Sequence, residues 1–405
     1  MYDITLFGAT VYTGSLCATF IAATYPTNTR WCLTGRSETR LKALAKKLAL
    51  ECPDRVQPKI ETIADLEWEN IDGVIARTKA VVNGIGPFHW YSTTVVEACA
   101  VLGTSYLDFS TETLWIKELI ERYEDVAKKS GAILIPGISP TAPADILAWL
   151  IARRVKEKYE TDFDEIVATG KLDIKAMSPG SLTTVLNSLE TWGLAWYLSS
   201  DSRVLSNLNQ TDAVRKHKMS LVSRVLGYRS ISGLGALTTS FVGPGNASAV
   251  DRSATQNPEH YGSKFEYEEY LPATGVISAI FVHLITKIGI ILLSVRLIRR
   301  LLRALVDPSK PIQDQSEPQA TESAEYRAVG IIRKDMPVVR GHFVRKGPLY
   351  EFTALLTCVG ARVFLDKQGH DEGTKDRKGG FLTLGMEYVE GLRGAGVSIK
   401  VEDLD

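Results

Sequence analysis

Ile4-Thr5-Leu6-Phe7-Gly8-Ala9-Thr10-Val11-Tyr12-Thr13-Gly14 is a short apolar strand that runs into a glycine turn and a helical stretch. That order is how dinucleotide-binding folds seat a pyrophosphate, since a helix N-terminus holds phosphate by free N–H groups and its positive dipole end. In the G-x-x-G-x-x-G spacing, Gly8 makes the tight turn and Gly14 lets the helix pack closely on the strand. Val11 stands in the middle position, where backbone usually approaches the phosphate. Unrelieved overlap with its two methyl groups would cost of order 1–3 kcal/mol, about one to two decades of affinity. Residues Gly8, Ala9, Thr10, Val11, Tyr12, Thr13 and Gly14 are therefore the candidate cofactor cradle, with a weakened or lost cofactor as the alternative.

Working outward, Trp31-Cys32-Leu33-Thr34-Gly35-Arg36-Ser37 reads as a second strand, with a helix over residues 38–50 behind it. The end of that strand selects the cofactor. A carboxylate there would accept from a ribose 2′-hydroxyl, whereas Arg36 and Ser37 offer donors suited to a 2′-phosphate, which favours NADP over NAD. The alternative is that Arg36 only faces solvent.

Strands and helices then alternate: strands at 2–7, 30–34, 59–63, 80–83, 105–109 and 132–135, and helices at 13–24, 39–50, 69–77, 92–102 and 113–130. This rhythm predicts an α/β fold, a Rossmann-type doubly wound parallel sheet over residues 1–145, followed by a second α+β domain. Ligands of such sheets sit beyond the carboxyl ends of the strands. Two turns there stand out. Asn83-Gly84-Ile85-Gly86-Pro87-Phe88 permits close backbone approach to a flat ring, which adds Asn83, Gly84, Gly86, Pro87 and Phe88 to the candidate cofactor residues. Asp108-Phe109-Ser110-Thr111-Glu112 follows the next strand.

The composition fits an intracellular enzyme with 405 residues, 45% hydrophobic and 23% charged. Forty-seven basic residues balance 47 acidic ones, so no global field argues for nucleic acid. Five scattered cysteines without a C-x-x-C pair, and six histidines that form no cluster with them, indicate neither disulfides nor a metal site. The opening residues lack a basic region followed by an apolar run, so a cytosolic start is expected.

The segments 8–14, 35–37, 77–88 and 103–108, with the helix over 115–130, resemble the saccharopine dehydrogenase-like oxidoreductases, and within them the trans-acting enoyl reductases. Gly379-Gly380-Phe381-Leu382-Thr383 near the C-terminus resembles them more faintly. The resemblance implies a Rossmann domain plus an α+β domain, and NAD(P)H-dependent reduction of a carbon–carbon double bond in an apolar polyketide-, terpenoid- or lipid-like substrate. Three departures from the family pattern are Val11, Ser92-Thr93-Thr94 in place of Gly-x-Pro, and Ser139-Pro140-Thr141 in place of Phe-Asp-Ser. Pro143 and Asp145 of the last motif remain.

Beyond Asp145, residues 146–158 read as a helix, 165–175 as an alternating strand and 182–198 as a helix whose Trp192, Trp196 and Tyr197 give an apolar wall or ordinary core. Residues 201–272 lack a clean period and read as loops and short strands, with a substrate lid as one expectation. Residues 271–295 are almost continuously apolar, and Arg296, Arg299, Arg300 and Arg303 follow at helical spacing. At about 1.5 Å per residue the run could cross a bilayer. His283 and Lys287 oppose that, so the expectation is a membrane-associating helix or hairpin over 271–303, on the cytoplasmic face of the endoplasmic reticulum or a lipid droplet, or else burial in a homo-oligomer interface. Residues 304–325 read as a linker, and 146–270 with 326–405 as the second domain, with strands at 326–334, 341–346 and 397–401 and helices at 350–365 and 384–393.

No Ser-His-Asp set and no carboxylate pair of clear geometry is legible, as expected where a cofactor carries the chemistry. His89 and Tyr91 are candidate proton donors opposite a hydride, with Glu112 or Asp145 as carboxylate alternatives. Three functions stay open at this point: an NADPH-dependent reductase, a non-redox isomerase or cyclase using the same cleft, and a membrane-associated scaffold that keeps only the fold.

Overall fold

A computed structural model of the chain describes residues 1–159, 165–175, 178–194, 203–205, 225–262, 265–305, 322–333, 336–367, 379–383 and 385–404. They form two compact units, Met1–Pro140 with Pro348–Gly396, and Thr141–Gly347 with Val397–Asp405.

The first unit opens with β1 (Tyr2–Phe7), α1 (Tyr12–Thr24), β2 (Trp31–Gly35), α2 (Glu38–Glu51), β3 (Lys59–Thr62), α3 (Trp68–Ile75) and β4 (Thr78–Asn83). It continues through α4 (Phe88–Tyr91), α5 (Thr93–Leu102), β5 (Ser105–Asp108), α6 (Thr113–Ser130) and β6 (Ile133–Ile135). After β6 the chain enters α7 (Ile138–Tyr159), β7 (Glu165–Asp173), α8 (Pro179–Trp192), β8 (Tyr228–Ile231) and β9 (Gly235–Thr239). Next come α9 (Gly243–Gln256), α10 (Pro258–Tyr261), β10 (Glu266–Ala273), α11 (Val276–Ser294), α12 (Arg296–Leu305), and the strands β11 (Ser323–Arg333) and β12 (Met336–Lys346). Last are α13 (Leu349–Lys367), β13 (Gly380–Phe381), α14 (Met386–Gly394) and β14 (Ser398–Asp403).

The first unit's sheet has seven strands in the order β13-β6-β5-β4-β1-β2-β3, each pair parallel. From β3 to β6 this is the doubly wound Rossmann order, with the chain reversing its direction of travel between β1 and β4. Ile4, Leu6, Phe7, Ala80, Val81 and Val82 have no exposed surface, because a parallel sheet is covered on both faces and its strands read as apolar runs. The register aligns Phe7 with Asn83 and Asn83 with Asp108, so one row of residues ends three adjacent strands at the edge where ligands bind.

The expected second domain included all of 326–405, but 348–396 folds into the first unit. There α13 packs on α1, with the Tyr25 hydroxyl donating to the Cys358 carbonyl at 2.5 Å and the Cys358 thiol to that of Cys17 at 3.8 Å. Strand β13 also extends the sheet beside β6. The cause is the need of a sheet buried on both faces for a full helical layer, which residues 1–140 alone do not complete.

The second unit also has a seven-stranded sheet, ordered β14-β12-β11-β7-β10-β9-β8 and antiparallel except for the β7–β10 pair. Helix α7 lies on it so closely that a Cβ at Gly330 would stand 2.6 Å from Ile151 Cγ2, and one at Gly341 would stand 3.0 Å from Leu147 Cδ2. Residues 201–272 hold more order than expected. The helix α9 starts Gly-Pro-Gly-Asn and is rich in Ser and Thr, so propensity conceals it, while Asn246, Ala247, Ser248 and Val250 bury its inner face. Of the 201–272 span of the lid expectation, 201–202, 206–224 and 263–264 lie outside the described residues, as do Trp196, Tyr197 and most of the expected linker.

The apolar run begins later than expected. Leu271 to Ala273 belong to β10, and α11 starts only after Ser278 Oγ accepts from the N–H groups of Thr274 and Gly275, both at 3.1 Å. Extended backbone at Val295 (φ −75°, ψ 121°) then separates it from α12.

Candidate functional site

The turn between β1 and α1 is glycine-dependent at two points. Gly8 has φ +69°, and a Cβ there would meet Ile85 Cγ1 at 2.8 Å. A Cβ on Gly14 would fall 2.2 Å from the Gly8 carbonyl oxygen, so only glycine allows the helix this approach. Val11 caps α1 with φ −78°, ψ 160°, an extended conformation that any residue adopts, and no side chain caps the helix. Its side chain is 42% exposed. The backbone thus requires no glycine at position 11, and any conflict with a cofactor is confined to contact with the valine methyl groups. The first-turn N–H groups of α1, with no acceptor inside the helix, suit a pyrophosphate.

Arg36 is exposed at the end of β2, while Ser37 is occupied as the cap of α2, its Oγ accepting from Arg40 N at 3.4 Å. Of the two expected 2′-phosphate donors, Arg36 is the one whose side chain is not engaged as a cap.

The second glycine turn lies against the first: a Cβ on Gly84 would stand 3.4 Å from the Phe7 carbonyl oxygen and 3.6 Å from Gly14 Cα. Asn83, buried at the end of β4, holds this turn. Its Oδ1 accepts from Ile85 N at 3.1 Å and its Nδ2 donates to Ser92 Oγ at 2.8 Å and to the Tyr106 hydroxyl at 3.1 Å. Ser92 Oγ in turn donates to the Ile85 carbonyl at 2.8 Å. Ser92, a departure from the family pattern, therefore fixes the turn.

Glu112 clamps the start of α4. Its Oε1 accepts from Phe88 N at 2.9 Å, and its Oε2 accepts from His89 N at 2.8 Å and lies 2.6 Å from His89 Nδ1. Two of the expected catalytic residues thus form one buried dyad. Tyr91, on the same short helix, is 50% exposed. Asp145 is the exception: it belongs to the second unit, where burial pushes its carboxyl up to about 7 against a smaller opposing pull from Ser253. Its neighbours there include Tyr261.

Sequence reading missed one part of the network. Asp108 Oδ2 accepts from the Tyr106 hydroxyl at 2.6 Å, and its Oδ1 accepts from Ser110 N at 2.9 Å and Gly137 N at 2.6 Å. Burial pushes Asp108 up to about 6 even so. The signal was present, since Tyr106 and Asp108 lie two apart on one strand and share a face. Together Asn83, Tyr106 and Asp108 tie the ends of β4 and β5 to the loop after β6.

Residues 4–135 match the family model described as the saccharopine dehydrogenase NADP binding domain. Over 284 residues the chain is 28% identical to a putative trans-acting enoyl reductase of Mycobacterium tuberculosis, covering 69% of this chain and 67% of that protein. A trans-acting enoyl reductase of Mycobacterium bovis is 27% identical over 283 residues, 66% of this chain and 65% of the relative. Among solved structures, the apo saccharopine dehydrogenase (L-Glu forming) of Saccharomyces cerevisiae superposes over 100% of both chains with a TM-score of 0.54 at 12% identity, a likeness of fold. None of these favours the isomerase or cyclase alternative. NADP(H) is the cofactor of this domain type, and the glycine cradle and Arg36 described above fit it. Residues 4–135 are thus similar to the saccharopine dehydrogenase NADP binding domain, and together with the enoyl reductase relatives this similarity supports an oxidoreductase.

Proposed function

We propose that this protein is an NADPH-dependent enoyl reductase acting on an apolar polyketide-, terpenoid- or lipid-like substrate. The observation that supports the reading is the contact of the two glycine turns at the switch point of the sheet, with the His89–Glu112 pair following directly on the second turn. Amides of the first turn of α1 would hold the pyrophosphate and Arg36 the 2′-phosphate, while the 83–88 turn offers backbone to a flat ring. When bound, NADPH supplies a hydride to the electron-poor carbon of a polarised double bond.

The chain's own task is then to place a proton on the neighbouring carbon or on the enolate oxygen. Glu112 fixes the His89 ring through Nδ1 and fixes the backbone of that residue through its N–H, so the imidazole is oriented before substrate arrives. His89 is the proton donor in this reading and Glu112 its positioning residue. Tyr91 stands at the exposed end of α4, where substrate would approach. The names of the mycobacterial relatives support an enoyl substrate.

The test is titration of the purified protein with NADPH and NADH, followed by NADPH oxidation in the presence of an α,β-unsaturated thioester. Micromolar NADPH binding that Arg36→Ala weakens about tenfold, with NADH unaffected, is expected. Equal binding of both cofactors by the wild type, or unsaturated thioesters left unreduced while NADPH is bound, would overturn the reading.

A further inference from the structure

Helix α11 is inside out by the standard of a soluble protein. Ile277 is 85% exposed and Phe281 63%, and Leu284, Ile285, Ile288, Leu292 and Val295 continue the stripe on the same side. It runs for about 27 Å, at 1.5 Å per residue, before Leu297 and Leu301 of α12 prolong it.

The polar residues point the other way. His283 Nδ1 lies 2.6 Å from Thr239 Oγ1, and Thr238 Oγ1 donates to the Ala279 carbonyl at 2.6 Å, both on β9. A Cβ on Gly227 would stand 2.2 Å from His283 Nδ1, so glycine there admits the ring. Lys287, one turn on, is half-buried. The objection that His283 and Lys287 raised against a lipid environment therefore falls away, because both lie towards the protein side. Helix α11 has the length and composition to cross a membrane, but this anchoring to β9 along one face suits a helix that lies flat.

Charge supplies the identity of the occupant. The segment 296–305 holds four arginines and no acidic residue. Arg299 turns inward to the Leu293 and Ser294 carbonyls, and Arg303 donates to Asn187 at 2.6 Å and to Glu190 at 2.5 Å. Arg296 and Arg300, one turn apart, are exposed beside Leu297 and Leu301. Cations beside a wide aliphatic face match the boundary between anionic headgroups and acyl chains.

We propose that α11 and α12 form a monotopic docking surface for an anionic lipid bilayer, the aliphatic stripe entering the acyl boundary and Arg296 and Arg300 meeting lipid phosphates. The inference stands independently of the enoyl substrate.

Flotation of the full-length protein with phosphatidylcholine vesicles, with and without phosphatidylserine, tests it, with NADPH binding as the check on folding. Wild type is expected to float with the phosphatidylserine vesicles and to detach at high salt. Arg296→Ala and Arg300→Ala should each weaken partitioning about fivefold. Ile277→Glu with Phe281→Glu should abolish it while NADPH binding persists.

Equal flotation of the double variant, or equal flotation with neutral vesicles, would overturn the proposal. So would a wild type that ignores both vesicles and is a dimer in buffer, dissociated by the same double substitution. That outcome would assign the stripe to a second copy of this chain.

Discussion

Two buried carboxylates of the first unit and two of the second are held differently. In the first, Asp108 and Glu112 are held largely by backbone N–H groups, those of Ser110 and Gly137 for one and of Phe88 and His89 for the other. In the second, side chains of the described residues hold Glu269: Asn246 Nδ2 donates to both its oxygens at 2.9 Å, and the Tyr267 hydroxyl donates at 3.1 Å. Asp145 keeps a buried oxygen without a hydrogen-bond partner. Carboxylates that tie down amides fix the path of the turns around a site, whereas carboxylates ringed by side chains leave the backbone where it is and act on stability through their charge.

The largest expected effect breaks the backbone scaffold of the first unit. Gly14→Ala places a methyl group 2.2 Å from a carbonyl oxygen and should cost about 3 kcal/mol in denaturant unfolding and remove NADPH binding. Gly73→Ala, where a Cβ meets nothing within 4 Å, should be neutral or slightly stabilising. Next, His89→Gln should lower kcat about a hundredfold with NADPH affinity unchanged, as measured by steady-state kinetics beside calorimetry. Unchanged kcat would move the proton donor to Tyr91.

The second unit's contrast is sharpened by pH. Burial raises Glu269 to about 7, so the folded unit binds that proton more tightly than the unfolded chain does. Folding then takes up a proton between about pH 4 and 7, and stability falls as pH rises through that window. Glu269→Gln should flatten the fall by about 2–3 kcal/mol, read as the wild-type minus variant difference in urea midpoints at pH 5 and pH 8. The smallest effect returns to the cradle. Val11→Gly should tighten NADPH by less than about tenfold, because the backbone already fits and only methyl contact is relieved. A hundredfold gain would show that the methyl groups intrude on the phosphate.

Much of the first unit was legible because its signal is local. Each strand is an apolar run and each crossover helix follows within a few residues, so α6 could be bounded at Thr113 and Ser130 from pattern alone. Glu112 and His89 were legible as candidates but not as a pair, since they are 23 positions apart in sequence and their meeting depends on β4 lying beside β5. The second unit was less legible where tertiary packing overrides propensity. Helix α9 opens with Gly-Pro-Gly-Asn and carries no regular apolar stripe, and β10 reads Glu-Tyr-Glu-Glu-Tyr, whose period appears only when Glu269 counts as a buried residue. Placing 348–396 in the first unit had no local signal, because α13 reads as an ordinary apolar helix whichever sheet it covers.

That late helix constrains how the protein comes into being. Since α13 seals Cys17 of α1 and Tyr25 just beyond it, the nucleotide-binding half remains a partly open shell on the ribosome until α13 itself has been translated. Throughout that interval Cys17, Ala18 and Ile21 lack one wall of their enclosure, and the nascent chain presents an oily surface suited to holdase chaperones.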